Sequence, residues 1–159
     1  MAVESVPFTR KGYEDLKKEL HELKTIERPK IINEIAVARA HGDLSENAEY
    51  AAAREKQSFI EGRINILEDR LSRAKVIDFS NQEISDVRFG AVVTLEREET
   101  SEVRSYRIVG ELEADIHQNK ISLNSPIAKA ILGKKINDLV EVRAPKGTVE
   151  YIITDIQYE

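Results

Sequence analysis

Apolar residues recur at two different spacings along the chain, and the change falls near residue 78. Ala53, Gln57, Ile60, Ile64, Leu67, Leu71 and Ala74 follow alternating intervals of four and three, the a/d seam of a coiled coil. An earlier segment carries the same rhythm through Tyr13, Leu16, Leu20 and Leu23, loses it, and resumes at Ile31, Ile35 and Ala38. The lapse brackets Pro29. Proline has no N–H and crowds the preceding turn, so a kink or local break is expected there. Thr9 suits the N-cap of the first helix and Gly42 its C′ stop.

Two amphipathic segments joined by a short Gly-containing loop are most simply an antiparallel α-helical coiled-coil hairpin. Each arm buries its stripe on the other within one chain, so a monomer is expected. A parallel dimer would favour one continuous rod, which the stop at Gly42 opposes. The arm from Thr9 to Ala40 would reach about 48 Å at 1.5 Å per residue. Periodicity alone leaves two uses open for it, a spacer or dimerisation element and an arm that reaches into a partner.

Beyond residue 78 the period becomes two. Ala91, Val93 and Leu95 alternate with Val92, Thr94 and Glu96, and further strands are expected over Glu102–Val109, Leu139–Arg143 and Thr148–Ile156. Ala144-Pro145-Lys146-Gly147 suits a type I turn joining the last two strands. Pro126 can open a short helix running to Leu132 and ended by Gly133. The fold class is therefore α+β, with a helical hairpin over 1–78 and a small antiparallel sheet domain with one short helix over 79–159.

Charge refines this picture. The chain has 24 basic and 29 acidic residues and a net charge of −5. The first 78 residues are nearly balanced, so the acidity sits mostly in the second half. A grip on nucleic acid by bulk charge is excluded, because phosphate binding needs a basic footprint. There is no cysteine, hence no disulfide, thiolate metal site or cysteine nucleophile. Met1–Arg10 carries no apolar signal core and no long apolar run exists, so no membrane association and a cytoplasmic location are expected.

Few residues could carry chemistry. His21, His41 and His117 fit no zinc spacing, Ser125 has no nucleophile elbow, and no glycine-rich phosphate loop is present. The connector between the arms is the exception: His41-Gly42-Asp43-Leu44-Ser45-Glu46-Asn47-Ala48-Glu49-Tyr50. Asp43 and Glu46 form an Asp-x-x-Glu capping pattern, favoured at a helix start by the macrodipole. The same two carboxylates, carried at the end of a hairpin, could also hold a hard divalent cation. Mg²⁺ commonly takes one or two carboxylates and completes its shell with water and phosphate oxygens. Two carboxylates would bind it weakly alone and usefully only inside a site that already holds a metal and a phosphodiester. The two readings are compatible in different states.

This connector, with Ala-Ala-Arg-Glu at 52–55, Val-Ile-Asp at 76–78, Ser-Tyr-Arg-Ile-Val-Gly at 105–110 and Ile-Ser-Leu-Asn-Ser-Pro-Ile-Ala at 121–128, resembles the Gre family of bacterial transcript cleavage factors over nearly the whole chain. The resemblance implies a C-terminal domain of FKBP-like fold without prolyl isomerase activity, docked at the rim of the RNA polymerase secondary channel. It implies a hairpin that runs down the channel to the active centre. Asp43 and Glu46 would there stabilise the second catalytic Mg²⁺, shared with polymerase and not held by the free protein, and help position the attacking water. Polymerase would then hydrolyse backtracked RNA near its 3′ end by two-metal chemistry. The factor completes an active site and is not an enzyme by itself.

Arg39 and Arg54 match basic positions of the family and are assigned to the displaced RNA 3′ segment; alone, each also reads as part of a solvated face. Asn124, Ser125 and Pro126 match the polymerase-docking loop, and Ser125 with Pro126 also reads as a helix entry. Tyr50 lies in phase with Ala53, which favours packing across the hairpin. Within the family the GreB branch has a more extended basic hairpin. Here Glu55, Glu61, Glu68 and Asp69 interrupt the basic residues, which fits the GreA branch better. A Gre-like polymerase inhibitor would carry an altered tip, and a structural coiled-coil adaptor would have no catalytic consequence. An active prolyl isomerase would need more aromatic residues than the second half contains.

Overall fold

The computed structural model describes residues 4–43 and 47–158. The chain divides into two compact units, one of Met1–Val6 with Tyr13–Ala74 and the other of Pro7–Gly12 with Lys75–Glu159. A short strand β1 (Val6–Phe8) precedes the first arm, and β2 (Ala74–Val76) follows the second.

The first arm contains α1 (Arg10–Glu22) and α2 (Arg28–Arg39), and the second is α3 (Ala48–Ser72). The Thr9 hydroxyl accepts the Gly12 N–H at 3.0 Å, the expected cap at the start of α1. At the other end the helix stops with Ala40 as C-cap, so Gly42 falls one position beyond C′, with φ +111°. The expected seam is the observed one. Leu16, Ile31, Ile35 and Ala38 on the first arm and Ala53, Ile60, Ile64 and Leu67 on the second are all buried.

Where a kink or local break was expected at Pro29, helix runs without interruption from Arg10 to Arg39. In its place is a π turn over Leu23–Glu27, closed by the Arg28 N–H on the Leu23 carbonyl. The reason lies in the seam. Leu23 to Ile31 spans one residue more than the seven a heptad allows, and a π turn absorbs one extra residue where it replaces an α turn. The surplus is turned outward, with Ile26 56% exposed, and Ile31 returns to the core at 1%. Pro29 sits in the first turn of α2, beside the widened ring, where its missing N–H and bulk are accommodated. Pro29→Ala should therefore leave the π turn in place, whereas deletion of Ile26 should close it to ordinary α-helix. A crystal structure of each variant checks this; a π turn that vanished in Pro29→Ala would assign it to the proline instead.

Ion pairs flank the seam. Arg28 grips Glu61 through two N–O contacts of 2.8 Å, Arg63 grips Glu19 at 2.6 and 3.2 Å, and Lys24 meets Glu68 at 2.6 Å. The hydrogen bond from Arg28 holds the Glu61 carboxyl below its ordinary range. All three pairs face solvent, so they select the antiparallel register more than they add stability.

The second unit is a curled five-stranded sheet in the order β5-β4-β3-β7-β6, with β3 (Val92–Arg97), β4 (Val103–Val109), β5 (Lys120–Ser122), β6 (Leu139–Ala144) and β7 (Gly147–Gln157). Ala91, Val93 and Leu95 point inward, each fully buried, as their alternation predicts. Pro145 and Lys146 make the turn between β6 and β7, whose ladder closes at Ala144 and Gly147. The sheet is mixed where an antiparallel one was expected, because β5 runs parallel to β4. A three-residue strand after a crossover is too short to register as a period. In β7 one extra residue lies between the partners of Thr94 and Leu95, and such a bulge bends the strand. The helix α4 (Pro126–Ile131) seats Ala128 and Ile131 in this core.

Residues 7–12 are tied into the second unit by Glu113. Its carboxylate accepts the N–H groups of Thr9 and Gly110, each at 3.0 Å, and the Thr9 hydroxyl. Gly110 is required here, since a Cβ would collide with the Pro7 carbonyl oxygen.

Candidate functional site at the hairpin tip

The tip is built by the end of α2, the start of α3 and the connector between them. Asn47 is the N-cap of α3, with extended backbone and its Oδ1 accepting the Tyr50 N–H at 3.0 Å. This corrects the capping reading of Asp43 and Glu46. Asn47 holds the cap position, four residues beyond Asp43, so Asp43 is not the residue that starts the helix. Asp43 is exposed. Glu46 lies outside the described residues.

Asn47 reaches in both directions. Its Nδ2 donates to the Ala38 carbonyl at 2.6 Å while its Oδ1 caps α3. One carboxamide thus links a carbonyl in the last turn of one arm, which also accepts the His41 N–H at 3.1 Å, to an orphan N–H at the start of the other. Sequence reasoning passed over this residue. Asn and Asp are nearly equal as N-caps, and the Asp-x-x-Glu spacing drew the assignment upstream.

The basic residues stand where expected, on opposite arms. Arg39 ends α2, exposed, with its guanidinium carbon 5.9 Å from the centroid of the Tyr50 ring. Tyr50 is half-buried and packs on the cluster of Ile31, Ile35, Ala53, Ile60 and Ile64, so it serves the seam as its phase implies. Arg54, also exposed, donates to Gln57 Oε1 at 2.9 Å. His41 lies at the surface with Nε2 4.0 Å from a Glu49 carboxylate oxygen.

The second unit brings Asn124, Ser125 and Pro126 together at the corner between β5 and α4. Ser125 Oγ accepts the Ala128 N–H at 3.3 Å and Pro126 opens the helix, so the helix-entry role holds. Asn124 and Pro126 are exposed, and the Asn124 amide donates to Glu111. Aromatic residues are few here, yet Phe79, Phe89 and Tyr158 line a cleft of about 330 Å³ in the same unit. Its polar wall holds an Arg10–Asp78 pair at 3.3 Å. Hydrogen bonds from Ser80, then Arg10, keep the Asp78 carboxyl below its ordinary range. The cleft thus presents a formed ion pair to anything that enters.

Among the described residues no three His, Cys, Asp or Glu side chains gather to hold a metal, and no helix is long and apolar enough to cross a membrane. The donor type at the tip nevertheless suits a hard cation. Asp43 is an exposed carboxylate, the oxygen donor type that Mg²⁺ prefers.

A hairpin with a carboxylate at its tip, joined to a curled mixed sheet, matches one class of protein along its length. Residues 6–76 match the family model described as "Transcription elongation factor, N-terminal", and residues 81–158 match "Transcription elongation factor, GreA/GreB, C-term". The chain belongs to the GreA/GreB family of transcription elongation factors. It is 53% identical over 153 residues to the transcription elongation factor GreA of Rickettsia canadensis, covering 96% of this chain and 94% of that one. It is 55% identical over 155 residues to GreA of Nitrosococcus oceani, covering 97% and 98%. Among solved structures, GreA factor homolog 1 (Gfh1) of Thermus thermophilus is 30% identical, with a TM-score of 0.45 and coverage of 97% and 99%. The curated relatives carry the GreA name, and the GreB alternative is not favoured.

Proposed function

We propose that this protein acts in the bacterial cytoplasm by entering the secondary channel of RNA polymerase and stimulating hydrolysis of backtracked nascent RNA. The observation that carries the reading is the tip: an exposed Asp43 at the closed end of a two-arm hairpin. α3 alone runs for 25 residues, about 38 Å, long enough to bring the tip far from its base.

Asp43 and Glu46 ligate and orient. Mg²⁺ supplies Lewis-acid stabilisation of the reacting oxygens and a more acidic bound water. Two carboxylates are too few to hold Mg²⁺ firmly, so the remaining ligands come from polymerase and the RNA phosphate. The protein is therefore no nuclease alone; it completes one. Arg39 and Arg54 pair with phosphates of the displaced RNA 3′ segment from either side of the tip. Asn124, Ser125 and Pro126 dock on the channel rim, Ser125 by holding the corner through its cap and the exposed pair by direct contact.

The test uses backtracked elongation complexes with 3′-labelled RNA. Protein, polymerase complex and Mg²⁺ together should release short 3′ fragments, while the protein with free RNA and Mg²⁺ should release none. Cleavage of free RNA would overturn the division of labour. For docking, Pro126→Ala should weaken binding to polymerase several-fold in a competition assay, and unchanged affinity would remove that corner from the interface.

A further inference from the structure

We propose that the cleft of about 330 Å³ in the second unit binds a free nucleoside phosphate, with the base on its apolar wall and the phosphates on its cationic rim. This site is separate from the hairpin tip and does not depend on the function read there.

The rim is built and aimed. Among the described residues that line the cleft, Arg10, Lys11 and Arg107 are cations and Asp78 is the one acid. Asp78 is already committed: its Oδ1 accepts the Ser80 N–H at 2.9 Å and its Oδ2 accepts Arg10 Nε at 3.3 Å. Arg10 is thus held through Nε, which leaves its two terminal amino groups for a second acceptor, in the fork that fits a phosphate. Its side chain is 67% exposed, so a ligand can reach that fork. Arg10 and Lys11 also open α1, whose first turn contains no acidic residue. A helix start carries partial positive charge and favours acids, so two cations there run against the local preference. A bound phosphate would offset both.

The wall is apolar and fixed. Phe79 and Tyr158 meet edge to face, with ring centroids 6.2 Å apart and planes at 77°. The Tyr158 hydroxyl accepts the Arg88 N–H at 2.8 Å and donates to the Asp86 carbonyl at 2.6 Å, which holds the ring in place. The Arg88 guanidinium carbon lies 5.4 Å from the Phe79 centroid. This wall is formed before any ligand arrives, which lowers the ordering cost of binding. It offers ring surface more than hydrogen-bonding edges, so a purine should be held better than a pyrimidine. The volume lies at the lower end of the range for small-molecule sites, enough for a base and sugar with the phosphates at the rim. Residues 79–159 hold more acidic than basic side chains, so a long polyanion meets repulsion around the cleft that a single nucleotide avoids.

The test is a titration of the full chain with ADP, followed by backbone amide NMR shifts, beside adenosine, inorganic phosphate and a short single-stranded RNA. ADP should shift amides around the cleft in a saturable way, at least about tenfold more tightly than adenosine or phosphate, since each of those fills half the site. Arg10→Gln should weaken ADP about tenfold and leave adenosine unchanged. Phe79→Leu should weaken ADP and adenosine alike, and Lys146→Gln, in the β6–β7 turn outside the cleft, should change neither. Arg10 is a surface residue, so its replacement keeps the fold and reads the site directly. Four results would each overturn the proposal: no saturable shift with ADP, phosphate binding as tightly as ADP, RNA binding more tightly than ADP, or Arg10→Gln binding ADP like wild type.

Discussion

Replacing Asp43 by alanine is expected to lower stimulated RNA cleavage by about a hundredfold or more while polymerase binding persists. Asp43 is exposed in the connector and outside the buried seam, so its loss removes no core packing. The helix cap belongs to Asn47, so α3 keeps its start. What disappears is one of two hard oxygen donors. With only Glu46 left, the tip offers a single carboxylate to a cation that needs an octahedral shell. Glu46→Ala should behave in the same way, and the double variant should be little worse than either single one, because ligands of one ion act as a unit. Single-turnover cleavage of stalled complexes measures this. Near wild-type rates in both single variants would leave the carboxylates without a metal role.

The second large effect concerns stability. Leu95 is fully buried on β3, the central strand of the sheet, among Val93, Ile108, Ile131 and Ile153. Leu95→Ala removes three carbon atoms and leaves a cavity that neighbours on paired strands cannot close. The expected cost is about 3 kcal/mol, within the range of 2–5 for such truncations. A unit of this size has only about 5 kcal/mol to lose, so about 2 kcal/mol would remain and the thermal unfolding midpoint should fall by more than about 10 °C. Urea denaturation followed by circular dichroism reads the shift. Ile26→Ala is the matched control: that side chain is 56% exposed on the π turn and should change stability by less than about 0.5 kcal/mol. Equal effects at the two sites would contradict the burial pattern.

The hairpin was legible because its seam is long. Seven positions on each arm follow the heptad rhythm, with one lapse on the first arm, and four on each arm are buried in the structure. What the pattern did not reveal was how a misfit of one residue is absorbed. Proline at position 29 suggested a break, but the apolar positions on both sides must face the same partner helix, and a π turn restores that phase without ending the helix. The sheet was legible where strands are five residues or longer. The parallel β5 escaped, since three residues carry too little alternation to be told from a loop. At the tip, local spacing favoured Asp43 and Glu46 as a cap, whereas the cap that formed is the one whose side chain also bonds to the facing arm. That partner lies nine residues away in sequence, and no local rule contains it.

The central claim is that the tip, and no other part of the chain, reaches the reacting end of the RNA. The absence of cysteine allows a direct measurement. An iron chelate attached through Asp43→Cys is placed in backtracked complexes and allowed to generate hydroxyl radicals, beside the same label attached through Lys146→Cys in the β6–β7 turn. The account predicts that nascent RNA is cut within a few nucleotides of its 3′ end from position 43 and not from position 146. Equal cutting from both positions, or cutting from 146 alone, would contradict it.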